Sequence, residues 1–473
     1  MTTTETVSHV MTINGAPAAA EATFGVINPA TGDVFDQAPE CTREQLDAAM
    51  QAAATAFRTW RGDEAARRAL LGACADAVKA HADELARVLT QEQGKPLAKA
   101  AAEIAGAAKW FTYTARLEIP VEVALDNDRV RVEVRRRPYG VVAAITPWNY
   151  PVSLAVWKIA PALLAGNTIV LKPSPFTPLA TLRLGEILRD VLPSGVLNVV
   201  SGGDALGAWM TSHPAVRKIS FTGSVATGKL VAAAAAPDLK RVTLELGGND
   251  PAIVLPDVDV ARTAKRLFWG AFENCGQVCS AIKRVYVPES LYESMVAQLA
   301  DMARGVKVGN GRDEDSQLGP INNRPQFERV QELVEDARQA GARLVTGGQC
   351  LGEGGYFYAP TIVADLQDGV RLVDEEQFGP VLPVVPYTEL DDAIERANAT
   401  HFGLSGSVWS SDTARAEEVA RRLECGTAWV NQHLNVLPHA PFGGAKWSGI
   451  GVENGPWGLL GFTEIQTVNV AKG

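Results

Sequence analysis

The sequence predicts an α/β protein of two parallel-sheet domains plus a small β element. Three observations carry this. Short apolar runs, each followed by turn residues and a helical segment, recur from residue 141 to 221, and a second such series runs from 251 to 430. That repeat is the pattern of βαβ units on a sheet buried on both faces. Finally, two segments outside both series, near 130 and after 462, alternate apolar and polar residues as half-wet strands do.

Taken in order, residues 1–40 are extended and rich in turns, with a turn at Asn28–Asp33. Thr42 is placed to cap a helix with Gln45 three residues on, and an amphipathic helix follows over 43–60. Helical periodicity continues over 63–92 and stops at Gly94 and Pro96, and an alanine-rich helix follows over 97–117. Val130–Arg137 alternates Val with Arg or Glu. The first series of buried strands is Val141–Ile145, Thr168–Leu171, Val196–Val200 and Lys218–Phe221. The second is Pro251–Leu255, Arg284–Val287, Gly379–Val385, Gly406–Trp409 and Thr427–Val430. The tail, Phe462–Val470, is placed to pair with the strand near 130 or across a subunit boundary.

Length and composition exclude several classes. A chain of 473 residues exceeds one ordinary core, so two or three domains are expected. Hydrophobic residues at 47% exclude general disorder. The net charge is −10, which argues against a nucleic-acid partner, and Arg135–Arg137 reads as a solvated edge. No apolar run approaches the roughly 20 residues of a membrane helix, and Met1–Glu5 shows no signal-peptide pattern. Cysteines at 41, 74, 275, 279, 350 and 425 fit neither a disulfide framework nor a metal site. A reducing cytoplasm is the expected compartment.

Three segments carry chemistry. Cys279 follows a Gly-Gln step; a loop-to-helix junction there would give the thiol thiolate character. Cys275, four residues earlier, reads as a bystander. Asn149, in Trp-Asn-Tyr-Pro, is either a turn residue or an amide donor to an oxyanion. Glu245 lies between leucines and before two glycines, where burial would raise its pKa as a general base requires. A thiol, an amide and a carboxylate suit acyl chemistry at a carbonyl carbon. The strand, glycine turn and helix over Ser220–Gly228 form a natural phosphate site without the dinucleotide fingerprint. Lys172 ends a buried strand, where ligands of such sheets bind.

With Pro147–Pro151, Lys172-Pro-Ser, Phe221–Ser224, Glu245-Leu-Gly-Gly, Gly276–Cys279, Glu375–Val381 and Pro441-Phe-Gly-Gly in that order, the chain resembles the aldehyde dehydrogenase superfamily over nearly its whole length. The resemblance implies a Rossmann-like NAD(P)-binding domain over 1–118 and 139–247, a catalytic domain over 248–447, and an oligomerisation and bridging element over 119–138 and 448–473. It implies Cys279 as nucleophile, Asn149 and the Cys279 N–H as oxyanion donors, and Glu245 as base. Glu453 and Lys158 match a proton path. The implied cofactor contacts are Ile145, Thr146, Pro147, Trp148, Lys172, Ser174, Pro175, Gly203, Phe221, Gly223, Ser224, Leu246, Gly247, Arg329, Glu376 and Phe378. No metal is implied. Relatives that prefer NAD often carry Glu where this chain has Pro175, and Asp204 in the following loop would repel a 2′-phosphate. NAD is expected, with NADP open.

By position, Tyr150, Trp157, Glu273, Val278, Ser280, His433, Val436 and Phe442 line the substrate tunnel. Their aromatic members suit an apolar or ring-bearing aldehyde; Glu273 and His433 suit a polar or cationic one. No arginine is visible there to bind a carboxylate. The implied partners are a small-molecule aldehyde and further copies of the chain, as a homodimer or homotetramer. The implied reaction is aldehyde oxidation to the acid through a Cys279 thiohemiacetal and thioester. The competitors are a CoA-acylating relative, a silent structural relative and a cofactor-free cysteine hydrolase. Retention of Glu245 opposes the first, and Cys279, Asn149 and Glu245 together oppose the second. The third lacks a histidine-bearing motif.

Overall fold

The structure, a computed structural model, describes residues 9–352 and 354–472, so the signal-peptide expectation at Met1–Glu5 lies outside the described residues. The chain opens with β1 (Met11–Ile13), β2 (Ala16–Ala18), β3 (Thr23–Ile27) and β4 (Val34–Pro39) around the expected turn. Helix α1 (Arg43–Trp60) begins with the reciprocal cap between Thr42 and Gln45. The single helix expected over 63–92 is two, α2 (Glu64–Ala80) and α3 (Ala82–Gln93). His81 breaks it: its backbone leaves the helical region, and Nδ1 donates to the Ala77 carbonyl at 3.0 Å, closing α2. Apolar periodicity runs through such a break because both helices bury the same face. Gly94, at φ +97°, ends α3, and α4 (Leu97–Thr114) follows.

Next come β5 (Glu122–Asp126), β6 (Val130–Pro138), β7 (Val141–Ile145), α5 (Pro151–Leu164), β8 (Thr168–Lys172) and α6 (Leu179–Arg189). They are followed by β9 (Leu197–Val199), α7 (Asp204–Ser212), β10 (Val216–Thr222), α8 (Val225–Ala235) and β11 (Arg241–Glu245). The second series holds β12 (Asp250–Val254), α9 (Val260–Phe272), β13 (Ile282–Pro288), α10 (Tyr292–Gly305), α11 (Arg324–Gln339), β14 (Arg343–Thr346) and β15 (Thr361–Ala364). It continues with α12 (Arg371–Asp374), β16 (Val381–Tyr387), α13 (Leu390–Asn398), β17 (Ser405–Trp409), α14 (Thr413–Ala420) and β18 (Thr427–Val430). The chain closes with β19 (Gly449–Ile450), α15 (Gly455–Leu460) and β20 (Thr463–Ala471).

Strands pair into an eight-stranded sheet, ordered β19-β11-β10-β7-β8-β9-β1-β2, and a seven-stranded sheet, ordered β14-β15-β16-β13-β12-β17-β18. Strands β7 to β11 run parallel, as do β12, β13 and β15 to β18. Helices cover both faces, which is why these strands read as unbroken apolar runs. Alternation still sorts the second sheet's side chains: Ile253 and Tyr286 enter one core, and Ala252, Val254, Val285 and Val287 the other. A third sheet, β20-β6-β5, is antiparallel, with β20 matched to β6 from Thr463↔Pro138 to Ala471↔Val130. The tail therefore pairs with the strand near 130. No helix among the described residues is long and apolar enough to cross a membrane.

Candidate active site

Cys279 sits in a loop that few sequences would hold. Asn274, Cys275 and Gly276 all take left-handed backbone, with φ of 52°, 58° and 73°. A Cβ on Gly276 would stand 2.1 Å from the Gly379 oxygen, so only glycine fits there. Gln277 staples the loop from within: Nε2 donates to the Asn274 carbonyl at 2.9 Å, and Oε1 accepts from the Asn322 N–H at 2.8 Å. The Gly-Gln step is thus a scaffold for the thiol. No helix starts at Cys279, which lies in the turn before β13, so the expected helix-dipole assistance is absent. Burial pushes its thiol up to about 12, opposed by the Lys283 ammonium. Cys275 is packed into the core beside β12 and β16, as a bystander would be.

Asn149 precedes α5, and its Nδ2 donates to the Gln277 carbonyl at 3.0 Å. Its own carbonyl accepts from Asn274 Nδ2 at 3.1 Å and from Lys95 Nζ at 2.8 Å. Lys95 is fully buried against Glu103 at 2.6 Å and lies 3.8 Å from the Tyr150 ring centre. Glu103 accepts from the Val152 and Ser153 N–H groups, both at 3.1 Å, and so caps α5 from another helix.

Glu245 ends β11, and neither of its carboxylate oxygens has a hydrogen-bond partner among the described residues. Burial raises its pKa well above the carboxylate range; Glu453 adds to the rise and Lys158 opposes it. Glu453 pairs with Lys158 at 2.5 Å, both fully buried. Lys158 also donates to Thr222 Oγ1 at 2.8 Å and Ser220 Oγ at 3.2 Å.

One cavity of about 1120 Å³ brings these groups together: Cys279, Asn149, Glu245 and Glu453 all line it. Tyr150, Trp157, Glu273, Val278, Ser280, His433, Val436 and Phe442 line it too. Lys158 stands behind Glu453. Trp110 stacks on Trp157 at 5.4 Å between centroids, and Phe442 meets Trp157 edge-on at 5.8 Å. The polar candidates carry less charge than expected. Glu273 is neutralised by Lys99 at 2.8 Å. His433 donates Nε2–H to the Ser280 carbonyl at 2.7 Å, and burial lowers its pKa to about 3, leaving the ring neutral. The expectation that no arginine borders the tunnel is corrected: Arg262 and Arg266, with Lys265, line the cavity from α9. Helical spacing, not adjacency to Cys279, brings them there.

The cofactor candidates gather at the carboxyl ends of β7 to β11. Ile145 ends β7 and leads into Thr146, Pro147 and Trp148; Lys172 ends β8 before Ser174 and Pro175. Gly203 precedes α7, and its N–H donates to Glu40 Oε1 at 3.1 Å, a carboxylate that sequence reading missed. Asp204 is the first residue of α7 rather than a loop residue. Phe221 lies in β10, and Gly223 and Ser224 form the turn into α8, where the Ser224 hydroxyl caps the helix. Leu246 and Gly247 follow β11; a Cβ on Gly247 would stand 2.2 Å from Glu376 Oε2. Phe378 meets the Trp148 ring edge-on at 5.2 Å, joining the loop before β16 to the one after β7. Arg329 pairs with Glu375, next to Glu376.

A profile described as the aldehyde dehydrogenase family matches residues 17–468. The chain belongs to the aldehyde dehydrogenase family. It is 39% identical over 482 residues to phenylacetaldehyde dehydrogenase of Pseudomonas fluorescens, covering 98% of this chain and 96% of that one. It is 39% identical over 457 residues to retinaldehyde dehydrogenase 3 of Rattus norvegicus, covering 94% and 89%. The NAD+ complex structure of an aldehyde dehydrogenase from Bacillus cereus superposes with a TM-score of 0.96 at 38% identity, covering 98% of this chain and 96% of that one. Sequence reading of this aldehyde dehydrogenase missed Lys95, Glu103 and Lys283. Only Glu103, alone in an alanine-rich stretch, carried a signal; Lys95 lies in a polar run and Lys283 stands beside Arg284.

Proposed function

We propose that this chain oxidises an apolar, ring-bearing aldehyde to its carboxylic acid with NAD, using Cys279 as nucleophile and Glu245 as base. The observation that carries the reading is that Cys279, Asn149 and Glu245, from three distant segments, line one cavity. Cys279 passes its proton to Glu245 and adds as the thiolate to the carbonyl carbon, and the oxyanion forms between Asn149 Nδ2 and the Cys279 N–H; Glu245 sheds that proton before the hydrolytic step. Loss of hydride leaves a thioester on Cys279. Glu245, whose carboxylate has no partner among the described residues, takes a proton from water as it attacks the thioester. Glu453 and Lys158 stand behind it to pass that proton on. Stacked Trp110 and Trp157, with Phe442, favour a ring in the substrate.

The residues present fit NAD. Lys172 is a buried ammonium whose only acceptor among the described residues is the Pro173 carbonyl at 3.3 Å, so donors remain for ribose hydroxyls. Thr146 Oγ1 is buried without a partner among the described residues. The α8 N-terminus offers N–H groups to a pyrophosphate, and Glu376 with Phe378 and Trp148 frames the nicotinamide end. Bound NAD supplies the hydride acceptor. Asp204 lies near enough to Lys172 to influence its ionisation, which supports NAD over NADP. We assign the cofactor domain to 1–118 and 139–247, the catalytic domain to 248–447, and the oligomerisation element to 119–138 and 448–473. Exposed Val123, Leu125, Ile465 and Val470 on the third sheet support a homodimer or homotetramer. Six free cysteines support a reducing cytoplasm. The hydrolase reading is opposed by burial of His433, which lowers its pKa to about 3, too weak a base to take the Cys279 thiol proton.

The test is a panel of aldehydes with NAD or NADP, with and without CoA, followed at the reduced-nicotinamide absorbance. Arylacetaldehydes with NAD and no CoA should give the fastest signal. A requirement for CoA would replace the hydrolytic reading with the acylating one. Cys279→Ala should bind NAD and turn nothing over; retained turnover would remove Cys279 from the nucleophile role.

A further inference from the structure

Lys283 is a buried cation that the scheme above leaves unused. It is the second residue of β13 and 1% exposed. It is not among the residues lining the aldehyde cavity. Its Nζ donates to the Val278 carbonyl at 2.5 Å and lies 5.5 Å from the Phe378 ring centre. That carbonyl belongs to the amide whose nitrogen is Cys279's. A charged donor on the oxygen of an amide withdraws electrons from its nitrogen, so the N–H becomes a stronger donor in turn.

We propose that Lys283 is a positioning residue for acylation: its ammonium fixes and polarises the Val278–Cys279 amide, whose N–H receives the developing oxyanion. The proposal rests on the reading of Cys279 as nucleophile. Burying an ammonium is costly, and a neutral donor would satisfy the Val278 carbonyl. The charge therefore needs a use, and the neighbouring sulfur provides one. Among the groups that act on the Cys279 thiol, Lys283 favours the thiolate, whereas Glu376, Asp250 and Glu245 oppose it. Two of those carboxylates are themselves held: Glu376 accepts from the Gly248 N–H at 3.1 Å, and Asp250 accepts from the Ser405 N–H at 3.2 Å and from the Ser405 hydroxyl. They also sustain the Lys283 charge, whose pKa burial lowers and these two carboxylates raise, without replacing its contact with the Val278 oxygen.

Wild type, Lys283→Met and Lys283→Gln are compared with NAD present. One readout is the rate of Cys279 alkylation by iodoacetamide at fixed pH, read by peptide mass spectrometry. The other is the rate and amplitude of the first turnover of NADH formation. Removing the charge should slow alkylation about tenfold, equivalent to about one pH unit. It should slow the first turnover at least about tenfold while the aldehyde KM holds steady. A role confined to structure would lower the burst amplitude and leave both rate constants alone, and that result overturns the proposal. Wild-type rates in either variant also overturn it. If Cys279→Ala turns over, the underlying reading falls; if it is inactive while both Lys283 variants keep wild-type rates, only this inference falls.

Discussion

Lys95 and Glu103 form an ion pair at 2.6 Å, wholly shielded from water, and between them they hold both sides of the segment that presents Asn149. Lys95 takes the Asn149 carbonyl, while Glu103 takes the first N–H groups of α5. Lys95→Met would leave a buried carboxylate without its counter-charge. Breaking a buried pair from one side costs about 3–5 kcal/mol. The expected result is a drop of that size in unfolding free energy, with a slower first turnover as Asn149 loosens. Unchanged denaturation midpoints would show that the pair carries no net stability.

If Glu245 is the base proposed above, the pH response of acid release follows from its surroundings. Burial raises its pKa, with Glu453 adding to the rise, so the base form is populated only as pH climbs through that raised value. Hydrolysis should therefore accelerate with rising pH. Glu453→Gln removes one raising charge and should move the rise to lower pH. Lys158→Met removes the lowering charge and should move it to higher pH. Single-turnover acid release across pH checks both signs; a rise that survives in Glu245→Gln would belong to another group.

Gly276→Ala should damage both fold and site. Left-handed backbone strains any other residue, and the new methyl would meet the Gly379 oxygen at 2.1 Å. A loss of about 2–3 kcal/mol is expected, with alkylation of Cys279 altered because its loop shifts. Denaturant titration and thiol labelling read the two effects separately.

Cofactor choice is testable at one carboxylate. Asp204 and Glu40 both bear on Lys172, whose pKa burial lowers to about 8. Asp204→Asn should raise kcat/KM for NADP relative to NAD by about tenfold, the effect of one nearby charge worth about 1.4 kcal/mol. An unchanged ratio would place the discrimination at Pro175 or elsewhere.

Much of this arrangement was legible in the chain. The cofactor candidates from Ile145 to Gly247 cluster because each lies at or just beyond the carboxyl end of an apolar strand, and strand ends are visible as turns. The tail strand was legible because Phe462–Val470 alternates as β6 does. Other features were not. The His81 break preserves the apolar face, so periodicity passes over it. Strands β14 and β15 are short and adjoin polar loops. Arg262 and Arg266 reach the cavity only because α9 packs beside the Cys279 loop. The thiol's environment depended on whether a helix starts at 279, and motif spacing carries no such information. Lys283 reads as an ordinary strand lysine until the fold closes over it.

Strand β19 lies beside β11, setting Gly449 opposite Glu245, and Glu453 reaches Lys158 a few residues later. The carboxylate's surroundings thus come from a segment far along the chain from β11. Truncation after β18 should leave Cys279 and Asn149 in the chain while stripping Glu245 of the strand and the ion pair beside it.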